Sequence, residues 1–249
     1  MISDLLGCIP DVVIPGIEAC LCRIDEVKCI PPSPRIIETL IEYSWNDPDA
    51  YRCILEQLHS KGYLWDEWAC VAAAKVGDVE ILKYLHENGC PWDHRVMMAA
   101  SEKGHLECLR YLHENSCPTS GGIIRMAIEG SSRDPPRYLE CVKYLHKAGY
   151  RWDEWCCITA ARVRNVEILR YLHENECSLS YRVTTIAYEV RSIECLEYLY
   201  NAGCEWEDSV YEIMLANRTV YPFIDDREVK IVHTTPSNMK QSQYTCLIL

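Results

Sequence analysis

Apolar residues recur along this chain at fixed distances from a repeated Tyr-Leu-His-Glu string and its near copies. The third residue of the string, here the register residue, stands at positions 59, 86, 113, 146, 173 and 200. Successive register residues are 27 positions apart, except for one interval of 33. Each follows a leucine, and a further leucine or valine stands three positions before that leucine. Because apolar residues three apart share one face of a helix, the pattern predicts an amphipathic helix that ends near every register residue.

Each repeat also predicts a second helix, which follows the register helix after a short loop. Residues that cap helices stand seven positions after the register residue, at Asp66, Asp93, Ser120, Asp153 and Ser180. An alanine stands fourteen positions after it, at Ala73, Ala100, Ala127, Ala160 and Ala187. Since a small residue lets a neighbouring helix approach closely, we expect this second helix to be a tightly packed inner one. Each repeat is therefore predicted to be a pair of antiparallel helices.

Residues 72–90 resemble an ankyrin repeat, from the end of its first helix through its second helix to the loop glycine Gly89. The period is six residues shorter than the roughly 33 residues of that family, and the Thr-Pro-Leu-His opening is absent. The missing length falls where ankyrin repeats project a β-hairpin. The resemblance implies an all-α helix-pair repeat solenoid, ankyrin-like with β-hairpins shortened or absent, that binds through a helical concave face. The Pro91-Trp92-Asp93 string is similar to short-period units of amoeba-infecting giant viruses and protists.

The repeats divide the chain into three predicted segments. They are an irregular N-terminal segment at 1–33, a repeat array at 34–233 with caps at about 34–62 and 208–233, and a flexible C-terminal tail at 234–249. Terminal repeats must shield the core of a solenoid from water, and we expect residues 227–233 to form a degenerate register helix for this purpose. The insertion at 131–136 lies between the two helices of one repeat, so we expect it to protrude as a rigid turn.

The composition narrows the function classes. With 25 Lys and Arg against 37 Asp and Glu, the formal net charge is −12, and no basic cluster is present. Nucleic-acid affinity depends on clustered cations that release counterions, so we expect a protein partner and no nucleic acid. No apolar run approaches the roughly 20 residues that span a bilayer, and the N-terminus lacks the features of a signal peptide. We therefore expect a cytoplasmic protein, and we expect it to be a monomer.

Histidine and cysteine suggest metal binding, because His86 with Cys90 and the equivalent pairs show a four-residue spacing. A zinc site needs four ligands at one point, whereas these pairs occur once per repeat, so we assign them to packing and predict no metal ligand. The densest cysteine cluster outside the array fits either a metal site or four reduced thiols, and it comprises Cys8, Cys20, Cys22 and Cys29. No glycine-rich phosphate loop or Gly-x-Ser-x-Gly elbow occurs, so we expect neither an enzyme nor a cofactor.

Two helix positions that differ between repeats form a candidate binding surface, here called the varied face. Nine positions after the register residue stand Trp68, Arg95, Gly122, Trp155, Arg182 and Ser209. Seven positions further on, on the same side of the inner helix, stand Lys75, Glu102, Glu129, Arg162 and Glu189. Residues that vary between otherwise similar repeats are freed from packing. This face therefore either binds a partner, with the tryptophans as anchors, or is a solvated helix surface.

The last four residues, Cys246-Leu247-Ile248-Leu249, form a C-a-a-X box whose final leucine is typical of geranylgeranyl transfer to the cysteine. No polybasic run or nearby second cysteine supplies the second signal that stable anchoring needs. Residues 9–14 resemble the opening of an F-box. Two functions therefore stay open: a protein-interaction scaffold tethered to a membrane by prenylation, or a ubiquitin-ligase substrate adaptor.

Overall fold

The computed structural model describes residues 37–38, 41–42, 48–60, 62, 64–225 and 229–233. Several predictions lie outside these residues: the irregular segment 1–33 with its cysteine cluster and F-box-like residues, and the flexible tail 234–249 with the C-a-a-X box that contains Cys246. Residues 37–38 and 41–42 are helical, and the side chains of Ile37 and Ile41 are fully buried.

Helix pairs follow one another along the described chain, which is an all-α repeat solenoid apart from two short strands. The register helices are α1 (Pro48–Ser60), α3 (Val79–Glu87), α5 (Leu106–Glu114), α7 (Pro135–Lys147), α9 (Val166–Glu174) and α11 (Ile193–Asn201). The inner helices are α2 (Glu67–Val76), α4 (His94–Lys103), α6 (Ile123–Gly130), α8 (Glu154–Arg162), α10 (Tyr181–Glu189) and α12 (Asp208–Ala216). The strands are β1 (Glu205–Glu207) and β2 (Lys230–Val232).

The chain divides into two compact units, and the junction lies between Thr119 and Ser120. In the N-terminal unit, α2 packs on α4, and Ala73 and Ala100 on these helices are fully buried. In the C-terminal unit, α8 packs on both α6 and α10, and its Ala160 is also fully buried. Neighbouring inner helices are in closer contact than neighbouring register helices, because alanine adds little bulk between them. The prediction of a tightly packed inner helix is confirmed.

Side-chain caps begin two inner helices where the sequence predicts them, at Asp66 and Asp93. Asp153 and Ser180 are also N-cap residues, but their side chains make no cap hydrogen bond. The Asp66 carboxylate accepts a hydrogen bond of 3.0 Å from the backbone N–H of Trp68, which satisfies a donor in the first turn of α2. The prediction for Ser120 is wrong, because α6 begins only at Ile123. The residue before it, Gly122, has a φ of +89°, a left-handed conformation that glycine adopts without strain.

The insertion is only in part the predicted turn: residues 131–133 form a turn, whereas the two prolines that follow are helical. Pro135 and Pro136 form the start of α7, with Asp134 as the N-cap, and this helix has 13 residues where α9 has nine. Proline suits the first turn because that turn needs no N–H donor. Ser131 is fully buried, and its hydroxyl donates a hydrogen bond of 2.7 Å to the Ile128 carbonyl. The fold therefore accommodates the insertion as one additional helical turn and a short turn in which Ser131 is buried and residues 132–134 are exposed.

A short parallel strand pair lies at the end of the described C-terminal unit. Strand β1 pairs with β2, and Trp206 stands opposite Ile231. The prediction of a helix over residues 227–233 is therefore wrong. Ile231 and Val232 are β-branched residues, which favour a strand once a partner backbone is available.

Equivalent residues of the two units lie 87 positions apart. His146 follows His59 by this distance, and the string Trp-Asp-Glu-Trp occurs at 65–68 and again at 152–155. The register helices α1 and α7 both begin with proline and have 13 residues, whereas α3 and α9 both have nine. The units therefore repeat each other at a larger scale than the single helix pair.

Candidate binding surface

Repeated aromatic residues form the contacts between successive helix pairs within a unit. The His86 ring stacks on Trp92 with centroids 3.6 Å apart, and its Nδ1 lies 2.8 Å from the hydroxyl of Tyr111 in the next pair. In the C-terminal unit, His146 Nδ1 lies 2.9 Å from the Tyr171 hydroxyl in the same way. These side chains recur along the sequence because four junctions within the two units use the same histidine–tyrosine contact.

Cysteines of the register helices serve as small apolar side chains. Cys108, Cys141 and Cys195 are fully buried at equivalent positions. Burial raises the pKa of the Cys108 thiol to about 12, which keeps it protonated and unreactive. Among the residues that the structure describes, no group of three His, Cys, Asp or Glu side chains is placed to hold a metal ion. In the same part of the chain, no helix is long and apolar enough to cross a bilayer.

The varied face is exposed to solvent in both units. Trp68 and Trp155 are 40% and 48% exposed, although burying a tryptophan would remove a large apolar surface from water. The other exposed residues of this face are Lys75, Glu102, Glu129, Arg162, Arg182, Glu189 and Ser209. Arg95 is half-buried. The inner helices therefore present to solvent the positions that differ between repeats.

In the N-terminal unit, Trp68 and Arg95 form a cluster with two carboxylates. The central guanidinium carbon of Arg95 lies 4.5 Å from the centroid of the Trp68 ring. The guanidinium also lies 3.0 Å from Glu67 and 2.9 Å from Asp93. A backbone hydrogen bond, and then the hydrogen bond from Arg95, lower the pKa of Glu67, so this carboxylate is ionised. Because Glu67 begins α2 and Asp93 caps α4, two neighbouring inner helices position the arginine.

The C-terminal unit has the same three residue types at the equivalent positions, with a longer arginine–glutamate distance. Glu154 and Trp155 stand at the equivalent positions of α8, and Arg182 stands on α10. The Arg182 guanidinium lies 3.9 Å from Glu154, which is longer than the corresponding 3.0 Å distance in the N-terminal cluster. The N-cap of α10 is Ser180, so the second carboxylate is absent. With fewer restraints, the Arg182 side chain is 54% exposed.

A comparison of neighbouring repeats does not predict Glu67 and Glu154 as site residues. The two repeats between them have His94 and Gly121 at this position, so neighbouring repeats share no common chemistry there. The signal lies instead in the Trp-Asp-Glu-Trp string, which recurs at the 87-residue spacing.

No known protein-family model matches this chain, and no curated protein matches it. Two solved structures of the pentatricopeptide repeat protein PPR10, each in complex with an 18-nt psaJ RNA element, are similar to it. Each is 16% identical with a TM-score of 0.37, and the match covers 88% of this chain and 36% of that chain. This chain thus spans about a third of that protein.

One expectation from the net charge is corrected by these structures. We expected no nucleic-acid partner, but the helical-repeat protein in both structures is in complex with RNA. The expectation is therefore wrong: a net charge of −12 is summed over the whole chain and does not describe any single face.

Proposed function

We propose that this chain is a non-catalytic protein-binding scaffold, ankyrin-like with its β-hairpins shortened or absent, that acts as a monomer. The observation that carries the proposal is an exposed tryptophan in each unit that follows, in sequence, a glutamate paired with an arginine of the next inner helix. These three residues are here called the Trp–Arg–Glu cluster. Tryptophan and arginine are the residue types that most often dominate the binding energy of protein interfaces. Packing within the fold does not explain a solvent-exposed tryptophan at two equivalent positions, whereas a partner does.

The geometry of the N-terminal cluster suits an anchor. Trp68 has few rotatable bonds, and the Arg95 guanidinium already lies against its ring. Arg95 is further held by Glu67 and Asp93. Side chains that are ordered before binding lose less conformational entropy when a partner arrives. The N-terminal cluster therefore presents a rigid aromatic surface, and the C-terminal cluster presents a more adaptable one.

Charge pairing on the varied face suits a protein partner. Arg95 and Arg182 lie beside carboxylates, and Arg162 lies 3.2 Å from Glu129. A mixed surface of paired charges around exposed tryptophans is better matched by a protein surface of similar character.

Affinity purification with two substitutions tests this proposal. The tagged chain and its Trp68→Ala/Trp155→Ala variant are expressed in the same eukaryotic cells, and captured proteins are quantified by mass spectrometry. Truncation of an anchor costs about 2 kcal/mol or more, so recovery of a direct partner should fall by roughly 30-fold. Because both tryptophans are exposed, the variant should keep its helical circular dichroism and its unfolding midpoint.

The matched control is Leu64→Ala, which removes an exposed apolar side chain from the loop before α2. This variant should retain the partner. Equal loss of partners in both variants, or no loss in the tryptophan variant, would contradict the proposal. Captures with and without nuclease treatment test the other class of macromolecule. RNA that is recovered without nuclease, and only when both tryptophans are present, would indicate a nucleic-acid partner instead of a protein.

The F-box-like residues 9–14 support an alternative role as a ubiquitin-ligase substrate adaptor. Recovery of a cullin-ligase component that is lost when residues 1–30 are deleted favours the adaptor, whereas unchanged partners favour the scaffold. In either role we place the chain in the cytoplasm, at a membrane face if Cys246 carries a prenyl group. The short repeats support an origin in a giant virus or a protist.

A further inference from the structure

Two pairs of cysteine thiols lie in contact, one pair in each unit. The sulfur atoms of Cys70 and Cys90 are 3.1 Å apart, and those of Cys157 and Cys177 are 2.8 Å apart. In each pair, the first cysteine stands on an inner helix and the second stands in the loop before the next inner helix. The pairs are equivalent, since their residues lie 87 positions apart.

We propose that these pairs are two oxidation sites, each of which closes to an intramolecular disulfide when a hydroperoxide reacts with it. The sulfur atoms of a disulfide are about 2.0 Å apart, so each pair needs to close by only about 1 Å. The thiols of both pairs are free. Their contact joins residues 20 positions apart in sequence, so a disulfide would link two helix pairs within one unit.

The two members of each pair have different surroundings. Cys70 and Cys157 are fully buried and donate their thiol hydrogens to Cys90 and Cys177, which are 4% and 5% exposed. Cys177 also borders an open surface cavity of about 520 Å³. The hydrogen bond from Cys157 lowers the pKa of the Cys177 thiol, which favours its reactive thiolate. In the C-terminal pair, the loop cysteine Cys177 is therefore the member that meets the oxidant, and Cys90 stands at the equivalent position of the N-terminal pair.

The reaction balances with the hydroperoxide as the only oxidant. The loop thiolate attacks one peroxide oxygen, the O–O bond breaks, and an alcohol leaves after taking a proton, so that a sulfenic acid remains. The helix cysteine then loses its proton and attacks the sulfenic sulfur. An S–S bond forms, the S–O bond breaks, and water leaves. Two thiols have lost two electrons and two protons, and one hydroperoxide has become one alcohol and one water.

The cross-link acts on the same helices that carry the Trp–Arg–Glu clusters. A bond between Cys70 and Cys90 would tie α2, which carries Trp68, to the segment directly before α4, which carries Arg95. A cross-link restricts the unfolded chain more than the folded one. Oxidation should therefore raise the resistance of these helix pairs to unfolding.

The chain supplies matched control cysteines for this proposal. Cys117 and Cys204 occupy the same loop position as Cys90 and Cys177, and both are buried. The residue at the position of the helix cysteine is not a thiol in these two repeats; it is Met97 or Thr184. Loop position alone therefore predicts four reactive cysteines, whereas thiol pairing predicts two.

The experiment treats the folded full chain with hydrogen peroxide, alkylates the remaining thiols and maps tryptic peptides without reduction. The Cys70–Cys90 disulfide should link peptides 62–75 and 84–95, and the Cys157–Cys177 disulfide should link peptides 152–162 and 171–182. Fragmentation distinguishes Cys157 from its neighbour Cys156. Each link should disappear on treatment with dithiothreitol.

Two variants make the outcome decisive. Cys90→Ser should lose the first link and keep the second, whereas Cys117→Ser should keep both. The unfolding midpoint of the oxidised protein should rise by several degrees in wild type and in Cys117→Ser, and by less in Cys90→Ser. Peroxide treatment that leaves Cys70 and Cys90 alkylated, or that links Cys117 as readily as Cys90, would overturn the proposal. Circular dichroism before oxidation shows whether each variant is folded.

Discussion

Several loop residues of this array adopt a backbone conformation that favours glycine. The left-handed residues other than glycine in the described chain are Ser116, Arg164, Glu176 and Arg191, with φ between 55° and 69°. Glu176 stands three positions after its register residue, where an earlier repeat has Gly89 at a φ of 79°. A side chain costs about 1–2 kcal/mol in this conformation. Equivalent loops therefore differ in backbone strain.

This difference predicts opposite effects for a reciprocal exchange. Glu176→Gly should raise the free energy of unfolding by about 0.5–1 kcal/mol, because relief of strain exceeds the entropy that glycine adds to the unfolded chain. Gly89→Glu should lower it by about 1 kcal/mol. A Cβ at Gly89 would meet no atom within 4 Å, so the effect there is one of backbone strain alone. Urea denaturation measures both, and destabilisation by Glu176→Gly would contradict the strain assignment.

The sequence predicts the exposure of single residues at repeated positions, but it does not predict which residues of neighbouring helices are in contact. Differences between repeats predict the exposed Trp68 and Trp155, because a residue freed from packing varies. They do not predict that Arg95 lies on Trp68, since that contact depends on the distance between two inner helices. They also do not predict the Cys70–Cys90 contact, in which each cysteine by itself has the character of a small apolar residue.

At the scale of elements, the His–Tyr hydrogen bond between register helices should contribute measurably to stability. The His86 Nδ1 to Tyr111 hydroxyl distance is 2.8 Å, and burial raises the pKa of Tyr111, so the hydroxyl stays protonated. Tyr111→Phe removes this bond and keeps the ring. We expect a loss of about 0.5–1.5 kcal/mol in the free energy of unfolding, measured by chemical denaturation.

A matched control exists one repeat earlier. The Tyr84 hydroxyl lies 3.4 Å from His59 Nδ1, a longer and weaker contact. Tyr84→Phe should therefore cost less than Tyr111→Phe. Both substitutions keep the aromatic ring and remove only the hydroxyl. Equal losses of stability would therefore contradict a contribution from the shorter hydrogen bond of Tyr111.

Helix pairs, their capping residues and the closely packed inner helices follow from local sequence alone. An N-cap bonds a backbone N–H two or three residues further on, and an apolar stripe repeats within one or two helical turns. Both patterns can therefore be recognised within a single repeat. Strand β2 does not follow, because its partner β1 lies 25 positions earlier in the chain.

For the whole molecule, the C-a-a-X box predicts the site of action of the scaffold. In eukaryotic cells we expect wild type to gain the mass of one geranylgeranyl group at Cys246 and to appear partly in the membrane fraction. Cys246→Ser should remain unmodified and free of the membrane fraction. One prenyl chain gives only weak, reversible binding, so partial rather than complete membrane recovery is expected. An unmodified wild-type C-terminus, found by mass spectrometry, would exclude the tether.

The proline-started helices α1 and α7 bear on how such an array gains length. Both have 13 residues, and they stand 87 positions apart, with two nine-residue register helices after each of them. Tandem duplication of single 27-residue pairs would not reproduce this order of long, short and short helices. Duplication of the whole 87-residue block would reproduce it, together with one Trp–Arg–Glu cluster and one thiol pair. The number of binding clusters and of oxidation sites would then increase in the same step, so the two features are inherited as one module.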